Sequence, residues 1–154
     1  MEPVNVAIIY YSATGTVHAL AEAAAEGAEK AGARVRLRRV AETAPPEAIE
    51  ANPAWGRHLR DTDGVAVAGL DDLSWADAVL FGTPSRFGNP AGQLRAFIVP
   101  PGYTDPVQFR SGNPYGTSHV DGDGAPGDVS LEAARHQARR VAETAAALKA
   151  GRAA

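Results

Sequence analysis

Val6-Ala-Ile-Ile-Tyr10, running straight into Tyr11-Ser-Ala-Thr-Gly-Thr-Val17, is the stretch that decides the fold. A short unbroken apolar run ending in small and hydroxyl-bearing residues predicts a strand buried on both faces, as in a parallel sheet. Over 17–31 the apolar positions Val17, Leu20, Ala21, Ala24, Ala28 and Ala31 recur at helical spacing, and Gly32 stands where a C-terminal cap belongs. Arg34-Val-Arg-Leu-Arg-Arg-Val40 alternates arginine with aliphatic residues, predicting a strand with one wet face at a sheet edge.

Residues 41–73 contain Pro45, Pro46 and Pro53 and few periodic apolar positions. They predict an irregular connection with short helices around 47–52 and 55–62. Residues 76–83 form a second buried-strand pattern, followed by Pro84-Ser-Arg-Phe-Gly-Asn-Pro90 and a helical stretch through Phe97. The segment 100–127 is crowded with Gly, Pro, Asn and Asp and predicts a loop, after which Ser130 caps a last helix running to about Lys149. Alternating strands and helices point to an α/β fold, a doubly wound parallel sheet in one domain spanning 1–154. In such sheets ligands lie outside the carboxyl ends of the strands at the topological switch point, so the site is expected in the loops after the first and third strands.

The chain has 154 residues, 45% of them hydrophobic, enough for one core and too few for two ordinary domains. A net charge of −3 implies neither a nucleic-acid-binding surface nor a strongly acidic docking face. With no cysteine there is no disulfide, thiolate nucleophile or thiolate metal site, which turns attention to a bound cofactor. No apolar run approaches the roughly 20 residues of a membrane span and no basic leader is evident, so a cytoplasmic protein with no membrane partner is expected.

The first loop, Ser12-Ala-Thr-Gly-Thr-Val17, joins a buried strand to a helix N-terminus, where free N–H groups and the helix dipole favour a phosphate. Gly15 lets the backbone curl close to an anion, and Ser12, Thr14 and Thr16 add hydroxyls. Alone, the stretch reads equally as an ordinary polar strand-to-helix turn. The second loop, Thr83-Pro-Ser-Arg-Phe-Gly-Asn89, would face the same end of the sheet and supplies a rigid turn, a hydroxyl, a guanidinium and an aromatic ring. Those parts suit a flat heteroaromatic ligand. Alone, they also read as a surface ion pair at Arg86 and a core Phe87.

Together the two loops resemble the WrbA family, flavodoxin-like NAD(P)H:quinone oxidoreductases that use FMN. The resemblance rests on Tyr10-Tyr-Ser-Ala-Thr-Gly-Thr16, on Phe81-Gly-Thr-Pro-Ser-Arg-Phe-Gly-Asn89 with Gly92-Gln-Leu-Arg-Ala-Phe97, and on Pro101-Gly-Tyr103. It implies a flavodoxin-like fold and two-electron reduction of quinones by NAD(P)H. It also implies that Ser12, Ala13, Thr14, Gly15, Thr16 and Val17 hold the FMN phosphate while Pro84, Ser85, Arg86, Phe87 and Gly88 meet the isoalloxazine ring. Thr14 stands where some members carry an aromatic that helps hold the nicotinamide nucleotide. A homo-oligomer, dimer or tetramer, is implied as well, with subunits completing one another's sites.

One departure from the family pattern lies between Ile98 and Val99, where roughly fifty residues are missing: the fourth strand, its flavin-binding glycine-rich loop and most of the fifth. The sheet is therefore expected to be shortened, with its third strand at an edge. An FMN-dependent quinone oxidoreductase is the leading reading. A flavodoxin-type electron carrier and a truncated non-enzymatic paralogue are the alternatives.

Other motifs fail their context. Gly122-Asp-Gly-Ala-Pro-Gly127 has dinucleotide-fingerprint spacing but no strand before it. Asp121, Asp123 and Glu132 lack the remaining ligands of a calcium loop. His18, His58, His119 and His136 are scattered without metal-ligand spacing and read as surface residues, so no metal and no catalytic side chain is assigned. Arg135, Arg139 and Arg140 on the last helix read as a solvated face rather than a nucleic-acid contact.

Overall fold

Ala7, Ile8 and Tyr10 are among the least exposed side chains of the protein, as a strand buried on both faces requires. The computed structural model describes residues 2–42, 44–86, 89–90, 105–111, 117–120 and 123–152. The elements run β1 (Asn5–Tyr10), α1 (Thr16–Lys30), β2 (Arg34–Arg39), α2 (Pro46–Glu50), α3 (Pro53–Asp61), α4 (Leu70–Trp75), β3 (Ala78–Gly82), β4 (Ser85–Arg86), β5 (Asn89–Pro90), α5 (Pro106–Ser111) and α6 (Asp128–Arg152). Among the described residues the parallel sheet has three strands in the order β2-β1-β3, the flavodoxin-like beginning of a doubly wound sheet. Both β2 and β3 stand at its edges, as expected.

The register assigns the faces. Val6 pairs with Val35 and Ala78, and Ile8 with Leu37 and Leu80, so these side chains share one side of the pleat. On that side Val4, Val6, Ile8 and Tyr10 pack with Ala21, Ala24 and Ala28 of α1 and with Ala134, Ala138 and Ala142 of α6. Small residues let the two helices approach closely. A Cβ on Gly27 would run into the Arg135 carbonyl, so glycine is what this helix crossing demands. α1 ends where the spacing predicted, with Gly32 in the left-handed region at φ 82° and its N–H bonded to Glu29 O.

Ala7 and Ile9 point to the other side, in register with Arg36 and Arg38 of β2 and with Val79 and Phe81 of β3. The arginine face of β2 was expected to be wet, and the structure corrects this. Asp72 of α4, only 3% exposed, accepts from Arg36 Nη1 at 3.1 Å and Arg38 Nε at 3.0 Å, while Arg36 lies 4.2 Å above the Trp75 ring. A buried carboxylate between two guanidiniums turns charged side chains into half-covered packing.

Two helices interrupt segments expected to be irregular. α4 is held at its start by the Gly69 N–H donating to Asp72 Oδ2 at 3.0 Å and the Asp72 N–H returning to Gly69 O at 3.2 Å. α5 falls within 100–127, where Asp105 Oδ1 accepts the Val107 N–H at 2.9 Å with Pro106 in the first turn. α6 starts at Asp128, so Ser130 lies inside the first turn rather than capping it. α2 and α3 occur close to where short helices were expected. The helical stretch expected through Phe97 and the segment Pro101-Gly-Tyr103 lie outside the described residues. Among the described residues no helix is long and apolar enough to cross a membrane.

Candidate functional site

After β1 the chain goes to one side to make β2 and returns to the other side to make β3, so strand order reverses between β1 and β3, the switch point outside whose carboxyl ends doubly wound sheets hold their ligands. Residues 11–15 leave β1 there and residues 83–86 leave β3. The Tyr11 N–H donates to Gly82 O at 2.9 Å, which ties the two exits together. A Cβ on Gly82 would lie 2.9 Å from Val17 Cγ1 and 3.0 Å from Tyr10 Cβ, so the missing side chain lets the first turn of α1 close over the end of β3.

Within the first loop, Ser12 Oγ accepts the Gly15 N–H at 3.0 Å and Gly15 takes the left-handed conformation at φ 104°. The chain thereby turns sharply into α1, which opens on Gly15 without a side-chain cap. The first-turn amides and the positive end of the helix dipole are left for an anion. Thr14 is exposed at the tip, while Ser12, Ala13, Gly15, Thr16 and Val17 are half-buried. In the second loop Pro84 is half-buried and Ser85 exposed, and Ser85 and Arg86 pair antiparallel with Pro90 and Asn89. Phe87 and Gly88 lie outside the described residues.

Two histidines read from sequence as scattered surface residues meet behind this loop. His18, in the first turn of α1, has Nδ1 2.6 Å from the Tyr10 hydroxyl and Nε2 3.4 Å from Glu22 Oε1. His58 arrives from α3 with its ring centroid 5.4 Å from that of His18. A Cβ on Gly15 would sit 3.5 Å from His58 Nδ1, so the imidazole rests against the loop. Burial, reinforced by His18, holds the His58 pKa below the ordinary imidazole value, against a smaller opposing pull from Asp61. Burial and then the Glu22 charge push the Tyr10 phenol up to about 12, so it is a neutral donor over the working pH range.

Beside them Tyr11, Arg39, Glu42, Trp55 and His58 line a small cavity. Glu42 organises it, accepting from Trp55 Nε1 at 2.9 Å and from the Tyr11 hydroxyl at 3.2 Å. Neither Glu42 nor Trp55 was singled out in the sequence. The only available signal was the pair of tyrosines at the exit of β1, which mark that exit as an aromatic wall.

The model of the NADPH-dependent FMN reductase family matches residues 4–147. A curated relative from Deinococcus radiodurans, named NAD(P)H dehydrogenase (quinone), is 37% identical over 196 residues, covering 95% of this chain and 98% of the relative. Since 95% of 154 residues is about 146, about 50 positions of that alignment have no counterpart in this chain. A relative of the same name from Paracoccus denitrificans is 33% identical, with 96% of this chain and 97% of the relative covered. Another from Geobacter sulfurreducens is 47% identical over 95 residues, 61% of this chain and 46% of that protein. Matched along nearly its whole length, this chain belongs to the NADPH-dependent FMN reductase family.

Proposed function

We propose that this chain is an FMN-dependent NAD(P)H:quinone oxidoreductase of the WrbA kind, which takes two electrons from a nicotinamide and delivers them to a quinone. The observation that carries the reading is the uncapped start of α1, opening on left-handed Gly15 at the reversal point between β1 and β3. The residues present fit the phosphate end of FMN: a turn that uses a glycine, hydroxyls on Ser12, Thr14 and Thr16, and first-turn amides that no side chain occupies. Ser12, Ala13, Thr14, Gly15, Thr16 and Val17 hold the phosphate, and Pro84, Ser85, Arg86, Phe87 and Gly88 form the wall against the flavin ring. Names and coverage of the relatives support the same reaction.

Bound FMN supplies the hydride and electron chemistry, and the protein orients it and excludes water. No side chain serves as acid, base or nucleophile. Thr14, exposed at the tip of the loop, stands where some members carry an aromatic that helps hold the nicotinamide nucleotide, and its shorter side chain offers no such ring. A reaction that consumes NAD(P)H belongs with the cytoplasmic nicotinamide pool. A homo-oligomer, dimer or tetramer, in which neighbouring copies complete one another's sites, goes with this reading.

The test is to add FMN to the purified protein, remove the excess, record the visible spectrum, and then add NADH with benzoquinone. Retained flavin absorbance and quinone reduction are the expected results. A protein that retains no flavin overturns the reading and leaves a non-enzymatic interaction module as the account of the shortened chain.

A further inference from the structure

The loop 11–17 contains no lysine or arginine, although an FMN phosphate brings up to two negative charges to it. Backbone amides and a helix dipole meet part of that charge. Among the described residues, Arg39, His18 and His58 lie around this loop. Arg39 of β2 lines the adjoining cavity, but its Nε donates to Val65 O at 2.9 Å and its Nη2 stands 3.8 Å from Asp63 Oδ1. His18 is engaged on both nitrogens, by the Tyr10 hydroxyl and by Glu22. His58 differs from both. Its Nδ1 lies 3.5 Å from where a Gly15 side chain would begin, so it reaches the outer wall of the turn that the phosphate must enter.

We propose that His58 is a further FMN-phosphate ligand, closing the phosphate cradle from α3 and making FMN binding proton-linked. The assignment rests on the proposed FMN site. The groups that face His58 are His18 with Glu22 behind it from α1, Tyr10 from β1, Arg39 from β2 and Glu42 from the segment that follows, with Asp61 on its own helix. Of these, His18 and burial favour the neutral imidazole in the free protein. A phosphate in the turn reverses that balance by giving the imidazolium a partner, so His58 takes up a proton as FMN binds. Riboflavin, which lacks the phosphate, gains nothing from His58, so the same residue discriminates FMN from riboflavin.

The experiment measures FMN and riboflavin dissociation constants by flavin fluorescence for the wild-type protein and His58→Gln at about pH 6 and about pH 8, and follows the His58 C–H proton resonance of the wild-type protein through a pH titration with and without FMN. At the lower pH the variant should bind FMN roughly tenfold more weakly than wild type, the gap shrinking to about twofold at the higher pH. Riboflavin affinity should be equal in the two proteins. The His58 resonance should titrate at higher pH with FMN than without, a readout that needs no variant and no activity. Wild-type protein that binds FMN while His58→Gln binds it equally well at both pH values, an equal loss for riboflavin, or an unmoved His58 titration would each overturn the assignment and leave the oxidoreductase reading standing. Failure of the wild-type protein to bind FMN at either pH would overturn both.

Discussion

The Tyr10 hydroxyl lies 2.6 Å from His18 Nδ1, joining the end of the central strand to the first turn of α1 directly behind the loop 11–15. With its phenol pushed up to about 12, Tyr10 stays protonated and donates, which makes His18 Nδ1 the acceptor and leaves Nε2 to carry the proton toward Glu22. Tyr10→Phe removes this donor from a site that is 1% exposed and should cost about 1 kcal/mol of stability, read from urea unfolding. The pH dependence carries a distinct signature. A raised phenol contributes stability that is complete below its ordinary value of 10.0 and is lost as the pH climbs toward about 12. Wild-type stability should therefore fall over that window, and Tyr10→Phe should flatten the fall.

Gly15 and Gly82 shape the same end of the sheet for different reasons, and their alanine variants should separate. At Gly15 the demand is conformational: φ 104° is the left-handed region, and a Cβ there would be only in ordinary contact with His58. Gly15→Ala should cost about 1–2 kcal/mol through backbone strain and weaken FMN binding more than it weakens the fold. At Gly82 the demand is spatial, with Val17 Cγ1 at 2.9 Å and Tyr10 Cβ at 3.0 Å from the position of a Cβ. Gly82→Ala should cost about 1–3 kcal/mol by overpacking. Paired measurements of thermal midpoint and FMN affinity distinguish the two. Equal losses of both quantities in both variants would refute the distinction.

The helices α1 and α6 approach closely at Gly27, where an added Cβ meets the Arg135 backbone rather than a side chain that could swing away. Arg135 Nε also donates to Glu26 Oε2 at 2.7 Å, so the crossing is pinned on both sides. Gly27→Ala should force the helices apart and cost about 1–3 kcal/mol, more than a helix-propensity gain of roughly 1 kcal/mol can offset. Truncating the ion pair with Glu26→Ala should lower the melting temperature less than Gly27→Ala does, since the pair is solvent-exposed. A Gly27→Ala protein with an unchanged melting temperature would contradict the close crossing.

How much of this could be read in advance follows the range of each interaction. β1, α1 and β3 were legible because an apolar run, a helical period and a glycine cap are local patterns, and the two loops of the candidate site follow from the order of those elements. The arginines of β2 were misjudged because their alternation looks identical whether the charged face meets water or Asp72, and Asp72 is 34 residues away from Arg38. α4 and α5, six residues each, offer less than two turns of periodicity, although Asp105-Pro106 carried a helix-start signal within a stretch rich in turn residues. His58 reaches Gly15 only because α3 folds back over the exit of β1, and nothing in its own neighbourhood of sequence marks that contact. His18, three residues after Gly15, was better marked.

Asp72 supplies the acid limb of stability. Its carboxylate accepts the Gly69 N–H and both the Arg36 and Arg38 guanidiniums, and these contacts, the backbone bond foremost, hold its pKa below the ordinary value of 3.8. A lowered carboxyl contributes stability that is complete above its ordinary value and is lost as the pH falls through the folded-state value. Asp77, lowered first by the Asn5 N–H and then by Lys149, acts in the same direction at the other end of the sheet. Asp72→Asn leaves two guanidiniums facing a neutral amide, so the variant should unfold at lower urea than wild type at neutral pH, and its stability should respond less to acid. The two unfolding curves should approach each other as the pH drops below the carboxylate range. Curves that stay parallel across that range would mean that Asp72 acts through shape and hydrogen bonding alone, and the charge of the carboxylate would then carry none of the coupling between α4 and β2.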